Sequence, residues 1–154
     1  MMKKTYTIYP KVKLGKDVFI GDYASVRTNS IVGDNTIIGS YVRIENNVII
    51  GKNCMIGTGA VVGSGTIIHD NVFIGPNCIL TNDKEMVWAT DEYKSYTPQG
   101  PIIYNNVKIG AGVIVLAGIS ISKDVKIGAG SIITKDISEP GTYIADYGKI
   151  LRIS

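Results

Sequence analysis

Aliphatic residues recur at every sixth position of this chain: Ile8, Leu14, Ile20, Val26, Val32, Ile38, Ile44, Ile50, Ile56, Val62, Ile68, Ile74 and Leu80. The series lapses after Leu80 and resumes with Ile109, Val115, Ile121, Ile127 and Ile133. Two residues before most of these stands a small or β-branched side chain, as at Val18, Ala24, Ser30, Thr36, Val42, Cys54, Ala60, Thr66 and Cys78. Two inward positions separated by one outward residue describe a strand of about four residues, because side chains alternate faces along an extended backbone. A helix would space its apolar residues by three and four instead. Glycine usually follows the aliphatic residue directly, and Asn or Gly stands two further on, at Asn29, Asn35, Asn47, Asn53, Gly59, Gly65, Asn71 and Asn77. These residue types enter the left-handed backbone region at least cost. Each hexad therefore reads as a strand plus a corner built on one left-handed residue.

Three flat sides joined by three such corners close a triangular coil of 18 residues, so the pattern predicts an all-β chain, a parallel β-helix of hexapeptide type. Residues 1–154 read as one domain of about six coils, four from Ile8 to Leu80 and nearly two more in the later block. At roughly 4.8 Å per coil the prism would be about 30 Å long. Stacking pairs each coil with the next and leaves only the two ends open. Residues 1–7 are expected to cover one end, and a short C-terminal cap over 138–154, opened by Pro140-Gly141, the other. The count fails between Leu80 and Ile109, so residues 81–106 are expected to leave the wall as a protruding loop. That loop carries Trp88, Tyr93, Tyr96 and Tyr104 with Asp83, Asp91 and Glu92. A long loop on a rigid scaffold serves either as a binding lid or as an arm that contacts a neighbour.

The outward positions add a second pattern. Stacking by 18 places Ile31, Ile49 and Ile67 in one column and Phe19, Ile37, Met55 and Phe73 in another. Such columns are either a tolerated apolar surface or two sides buried against copies of the chain, and a prism touching two copies of itself closes as a ring of three. Sixteen basic against 13 acidic side chains leave a formal charge of +3, short of the clustered excess of a nucleic-acid binder. Uncharged stretches such as Ile109–Ser122 are broken by Gly110, Gly112 and Gly118, so no membrane span or signal peptide is expected. Cys54 and Cys78 take the small inward position on different sides of the triangle, which suits a core role in a reducing cytoplasm better than a disulfide. His69 is the only histidine, which excludes a three-histidine metal site, and no metal is expected.

The hexads, together with Ile74-Gly75-Pro76-Asn77-Cys78-Ile79-Leu80-Thr81-Asn82-Asp83-Lys84 and Ile127-Gly128-Ala129-Gly130-Ser131-Ile132-Ile133-Thr134-Lys135-Asp136, resemble the hexapeptide-repeat acyltransferases. The branch that N-acetylates nucleotide-linked amino sugars is the most similar, and Thr81-Asn82-Asp83 is the segment that favours it. The resemblance covers nearly the whole chain. It implies a left-handed β-helix, a homotrimer, acetyl-CoA as cosubstrate, and an active site in each groove between adjacent prisms. It also implies pantetheine contacts with the backbone at Ala111, Gly112, Ala117, Gly118 and Ala129, where small residues leave the wall low. Lys135, Lys149 and Arg152 are implied to meet the phosphates of CoA. Each of these positions also reads as a turn, packing or solvated residue.

Many members of that family, O-acetylating ones above all, place a histidine in or near the insert to deprotonate a hydroxyl; the corresponding stretch here is Asn82-Asp83-Lys84-Glu85. An amine needs less help, since its neutral form attacks a thioester directly and the leaving thiolate takes the proton. The expected reaction is acetylation of an amino sugar, with Asn82 and Asp83 as catalytic residues that orient the amine and a backbone N–H near Gly118 stabilising the oxyanion. Asx residues just past a strand are also ordinary turn formers. Trp88 in the insert and His69 are the candidate substrate contacts. His69 stands where glycine usually follows the aliphatic residue, so it points outward. It is either a surface or intersubunit residue, or the base of an O-acetyltransferase facing the thioester across a subunit boundary. A non-catalytic β-helix subunit, using its apolar sides only for assembly, is the remaining alternative.

Overall fold

The structure, a computed structural model, describes residues 5–87, 96–146 and 149–154. The chain winds as a left-handed parallel β-helix with three faces. The first stacks Thr7–Ile8, Ser25–Val26, Arg43–Ile44, Val61–Val62, Ile79–Leu80, Ile114–Val115 and Ile132–Ile133. The second runs from Lys13–Leu14 through Ile31–Val32, Ile49–Ile50, Ile67–Ile68 and Ile102–Ile103 to Ser120–Ile121. The third runs from Phe19–Ile20 through Ile37–Ile38, Met55–Ile56, Phe73–Ile74 and Lys108–Ile109 to Val125–Ile127. We call the corner after the first face the first corner, and so on round the prism.

Successive coils pair in the 18-residue register that the hexads predict, as in Ile31 with Ile49 and Ile37 with Met55. From coil to coil up to Ile133, each strand pairs over two residues rather than the expected four, because the corner turns the chain away at once. The ladder is nonetheless continuous: Lys13 N–H donates to the Ser30 carbonyl at 2.9 Å and Gly15 N–H to that of Val32 at 2.8 Å. Left-handed residues recur at the predicted corner position, with φ of 62° at Asn29, 55° at Asn53 and 73° at Gly65. Tyr23 and Tyr41 take the same conformation at 59°, and their rings stack at 5.2 Å. Asparagines at the second corner bond one to the next up the stack, Asn35 to Asn53 to Asn71 to Asn106, and Asn106 donates to Asp124 at 2.9 Å.

The aliphatic column fills the prism, and Ile38, Ile44, Ile56, Ile74 and Ile109 are fully buried. Small polar side chains share this interior without penalty because each reaches a corner carbonyl: Ser30 donates to Glu45 O at 2.8 Å and Thr36 to Gly51 O at 2.9 Å. Cys54 and Cys78 do the same toward His69 O and Gly110 O, each at 3.0 Å. Both are free thiols, and burial pushes their pKa up, which keeps them unreactive. Truncating one member of this column leaves a cavity between rigid coils. Ile56→Ala is expected to cost about 2–5 kcal/mol, measurable as a lowered denaturant midpoint with unchanged m-value.

Two expected boundaries move. The wall resumes before residue 106, since Ile102 pairs with Ile67 and Ile103 is fully buried. Residues 102–106 therefore belong to the coil and only the preceding part of the insert leaves it. At the N-terminus residues 1–4 lie outside the described residues, while Thr7 and Ile8 pair with Ser25 and Val26 as wall. At the other end Gly141–Asp146 extends the third face in parallel and Lys149–Arg152 folds back on it antiparallel. Tyr143 of this hairpin enters the core.

Candidate functional site

The insert leaves the prism at the first corner, which differs from the third in its side chains. At the third corner the residue after the aliphatic position is always glycine, from Gly21 and Gly39 to Gly110 and Gly128. A Cβ on Gly57 would come within 2.6 Å of Pro76 N and one on Gly110 within 2.6 Å of Ala129 N, so coil-on-coil contact demands glycine there. At the first corner the same position holds Tyr9, Arg27, Glu45, Thr81, Leu116 and Thr134, with glycine only at Gly63. Side chains therefore project beside the insert and build two clefts, one on each side of it.

The cleft toward the later coils has a volume of about 490 Å³ and is walled by Asp83, Met86, Leu116, Ala117, Ile119 and Thr134. The Asp83 carboxylate accepts from Met86 N–H at 2.7 Å. Desolvation first, and then the nearby Asp83 carboxylate, hold the Tyr96 phenol above its ordinary pKa. A carboxylate offers about four lone-pair positions, so the bond from Met86 leaves acceptor capacity on Asp83.

The structure divides the predicted site residues among all three corners. Asn82, Asp83, Ala117, Gly118 and Lys135 share the first corner. Asn82 and Asp83 do not face the same cleft, however: Asn82 lines the one toward the earlier coils. Adjacent residues in extended backbone point opposite ways, so a joint grip on one amine is not what this segment offers. Gly118 N–H donates to Gln99 O at 2.9 Å and is thus engaged. The neighbouring Ala117 lines the cleft, and its N–H has no hydrogen-bond partner among the described residues.

Ala111, Gly112 and Ala129 lie at the third corner, where nothing stands within 4 Å of the space a Gly112 side chain would fill. His69 lies at the second corner, half-buried, with its ring stacked on Tyr104 at 4.9 Å and 8°. Arg152 donates from its guanidinium to Pro140 O at 2.6 Å. Trp88 lies outside the described residues, as does the side chain of Lys149. Among the described residues no three His, Cys, Asp or Glu side chains converge as metal ligands.

The family described as bacterial transferase hexapeptide (six repeats) matches residues 11–46 and 47–82, and the hexapeptide repeat of succinyl-transferase matches 102–135. The chain belongs to the hexapeptide-repeat acyltransferase family. These matches bracket the insert and take in the coils on both sides of the two clefts. No match was found among curated proteins. Among solved structures, this acyltransferase is similar to a hexapeptide transferase family protein from Anaplasma phagocytophilum, with 21% identity, a TM-score of 0.73, and 96% of this chain and 83% of that one covered. A mutant of GDP-perosamine N-acetyltransferase from Caulobacter crescentus, in complex with CoA and GDP-perosamine, matches at 18% identity and TM-score 0.59 over 96% of this chain. The chain spans about half, 53%, of that enzyme's length. Soybean serine acetyltransferase, as apoenzyme, matches at 28% identity and TM-score 0.54, covering 68% of this chain and 40% of that one.

Proposed function

We propose that this acyltransferase transfers the acetyl group of acetyl-CoA to the amine of an amino sugar, nucleotide-linked or otherwise phosphorylated, and works as a homotrimer in a reducing cytoplasm. The observation that carries the reading is the cleft at the first corner, which joins an available carboxylate, Asp83, to an unengaged backbone N–H, Ala117. The structure of an N-acetyltransferase bound to CoA and an amino-sugar nucleotide on the same fold adds support.

Trimer geometry supplies the second half of the site. Outward residues are apolar from Ile31 to Ile102 on the second face and from Phe19 to Phe73 on the third, with Ile49 44% and Phe19 61% exposed. Laying the second face of one copy on the third face of the next turns every second corner to the axis. The first corner of one copy then borders the third corner of its neighbour. Asp83 and Ala117 of one chain thereby meet the low wall at Ala111, Gly112 and Ala129 of another, where a thin pantetheine arm fits. Lys108 and Lys126 take over from the apolar residues on the late third face and offer cations to the CoA phosphates. Arg152, turned to Pro140 O, is less suited to that role than Lys135, which is exposed.

In the reaction the neutral amine attacks the thioester carbonyl carbon. The N–C bond forms, the C–S bond breaks, and the proton lost by nitrogen ends on the departing thiolate. Asp83 accepts a hydrogen bond from the amine and orients its lone pair, while Ala117 N–H faces the oxyanion. His69 at the second corner is turned to the trimer axis, away from this groove. Following thiol release with acetyl-CoA and a panel of amino and hydroxyl sugars tests the reading, which predicts release with amino acceptors alone. His69→Ala is expected to keep kcat/KM within about threefold; a collapse with the trimer intact would transfer the base to His69 and favour O-acetylation.

A further inference from the structure

The second corner carries a ring stack that stops one coil short. His69 and Tyr104 occupy the same position on successive coils, and their rings lie 4.9 Å apart at 8°. On the following coil that position is Ser122, since Ile103 pairs with Ile121. The outer face of Tyr104 therefore looks into a cavity of about 410 Å³, whose wall includes Asn105, Ser122, Lys123, Ile137 and Ser138. The space stays open because the last coil is short. Ile121 bridges Ile137, two residues fewer than the usual register, and this single bridge replaces a two-residue strand pair.

The same corner shows what Lys123 lacks. Lower in the column a lysine twice lies beneath an aspartate: Lys16 N–H donates to Asp34 at 2.7 Å and Lys52 N–H to Asp70 at 2.9 Å. The Lys52 ammonium lies 4.0 Å from the other Asp70 oxygen. One residue thus holds both oxygens of a carboxylate, through backbone and side chain. Lys123 stands at the equivalent position two coils beyond Asp70, and neither its N–H nor its ammonium has a partner among the described residues. Glu139 takes the register of the aspartates without their role. The Tyr143 hydroxyl donates to its carbonyl at 2.9 Å, Pro140 follows, and Glu139 is not part of the cavity wall. Asp124 and Asp136 are engaged elsewhere, by Asn106 and by Ser120 N–H. The side chains of Asn105, Ser122 and Ser138 have no hydrogen-bond partner among the described residues.

We propose that this cavity binds a six-membered ring that carries a carboxylate, a uronic acid or an aromatic acid. The ring takes the vacant third place of the stack on Tyr104. Its carboxylate takes on Lys123 the place that Asp70 takes on Lys52. Asn105, Ser122 and Ser138 meet further polar groups on the ring, and Ile137 covers an apolar edge. The site lies at another corner than the two clefts beside the insert and does not rest on the acetyl-transfer reading.

Calorimetry on the full chain with glucuronate, glucose, benzoate and acetate tests it. Glucuronate is expected to bind at least about tenfold more tightly than glucose, which lacks the charge, and than acetate, which lacks the ring. Lys123→Met should bring glucuronate to the level of glucose. Ser122→Tyr should abolish binding by putting a ring of the protein's own into the vacant place, and thermal melts no lower than wild type would show both variants folded. Should Ser122→Tyr fail to fold, Lys123→Met decides alone, since Lys123 is exposed. Benzoate weaker than glucuronate makes the occupant a uronic acid; benzoate tighter makes it an aromatic acid. Saturating acetyl-CoA should leave glucuronate affinity unchanged. The proposal is overturned if acetate binds as tightly as the ring acids, if their binding survives either substitution in a folded variant, if acetyl-CoA displaces them, or if neither binds.

Discussion

Asp83→Asn is expected to lower kcat/KM for amino acceptors by about 10²–10³-fold and to leave acetyl-CoA binding unchanged. The substitution is close to isosteric, and an Asn Oδ1 still accepts from Met86 N–H, the bond made at 2.7 Å by the carboxylate. The insert therefore keeps its anchor while losing the charge proposed to orient the amine. A loss confined to kcat identifies a group acting on the reacting nitrogen; an equal rise in the KM of both substrates would mean that Asp83 only shapes the loop. Tyr96 gives an independent readout. Its phenol is raised above the ordinary value, about 10, by desolvation and by the Asp83 carboxylate, so the folded chain favours the protonated form. The stability that goes with the protonated phenol is accordingly full below that ordinary value and is lost as pH rises through the raised one. Ultraviolet titration should show the phenol ionising at lower pH in Asp83→Asn than in wild type, and an unshifted curve would separate Tyr96 from Asp83.

Most of the wall is legible from residue type, because a six-residue period with a left-handed corner admits few other solutions. The exceptions have local causes. Tyr23 and Tyr41 take φ of 59° although nothing in their type invites it; they stand at one corner, a coil apart, and the stacked rings offset the backbone cost. Ile103 is lost to a forward count because the pairing of Ile67 with Ile102 skips a number of residues that six does not divide. Counting backward from Ile109 recovers it. The two clefts were also written in the chain, in the replacement of glycine by Tyr9, Arg27, Glu45, Thr81, Leu116 and Thr134 at every third hexad but the one that ends in Val62-Gly63. That signal appears only once the hexads are sorted by corner. Tyr96 reads from sequence merely as one aromatic of the insert, and the influence of Asp83 on its phenol depends on how the loop closes. The opposite orientations of Asn82 and Asp83 likewise come from the path of the chain as it leaves the strand.

Ile49→Glu combined with Met55→Glu is expected to leave the coil folded, dissociate the proposed trimer and reduce the proposed acetyl transfer at least about 100-fold. The two side chains point outward, at 44% and 43% exposed, from the second and third faces, so circular dichroism should keep the wild-type β signature. Burying such a side chain is worth about 1.5–3 kcal/mol, and a carboxylate pressed into an apolar contact without a partner costs several more. Both terms recur at every interface of the ring. Sedimentation is expected to report three times the chain mass of 16.6 kDa for wild type and the single mass for the variant. Ser25→Glu, on the outward side of the first face, is expected to change neither mass nor rate. Activity should fall with assembly because the first corner supplies Asp83 and the third corner supplies the low wall at Ala111 and Ala129, and no single prism brings the two together. A folded monomeric variant that retained full turnover would show that one chain completes the site, and the groove between copies would no longer be where the thioester is attacked.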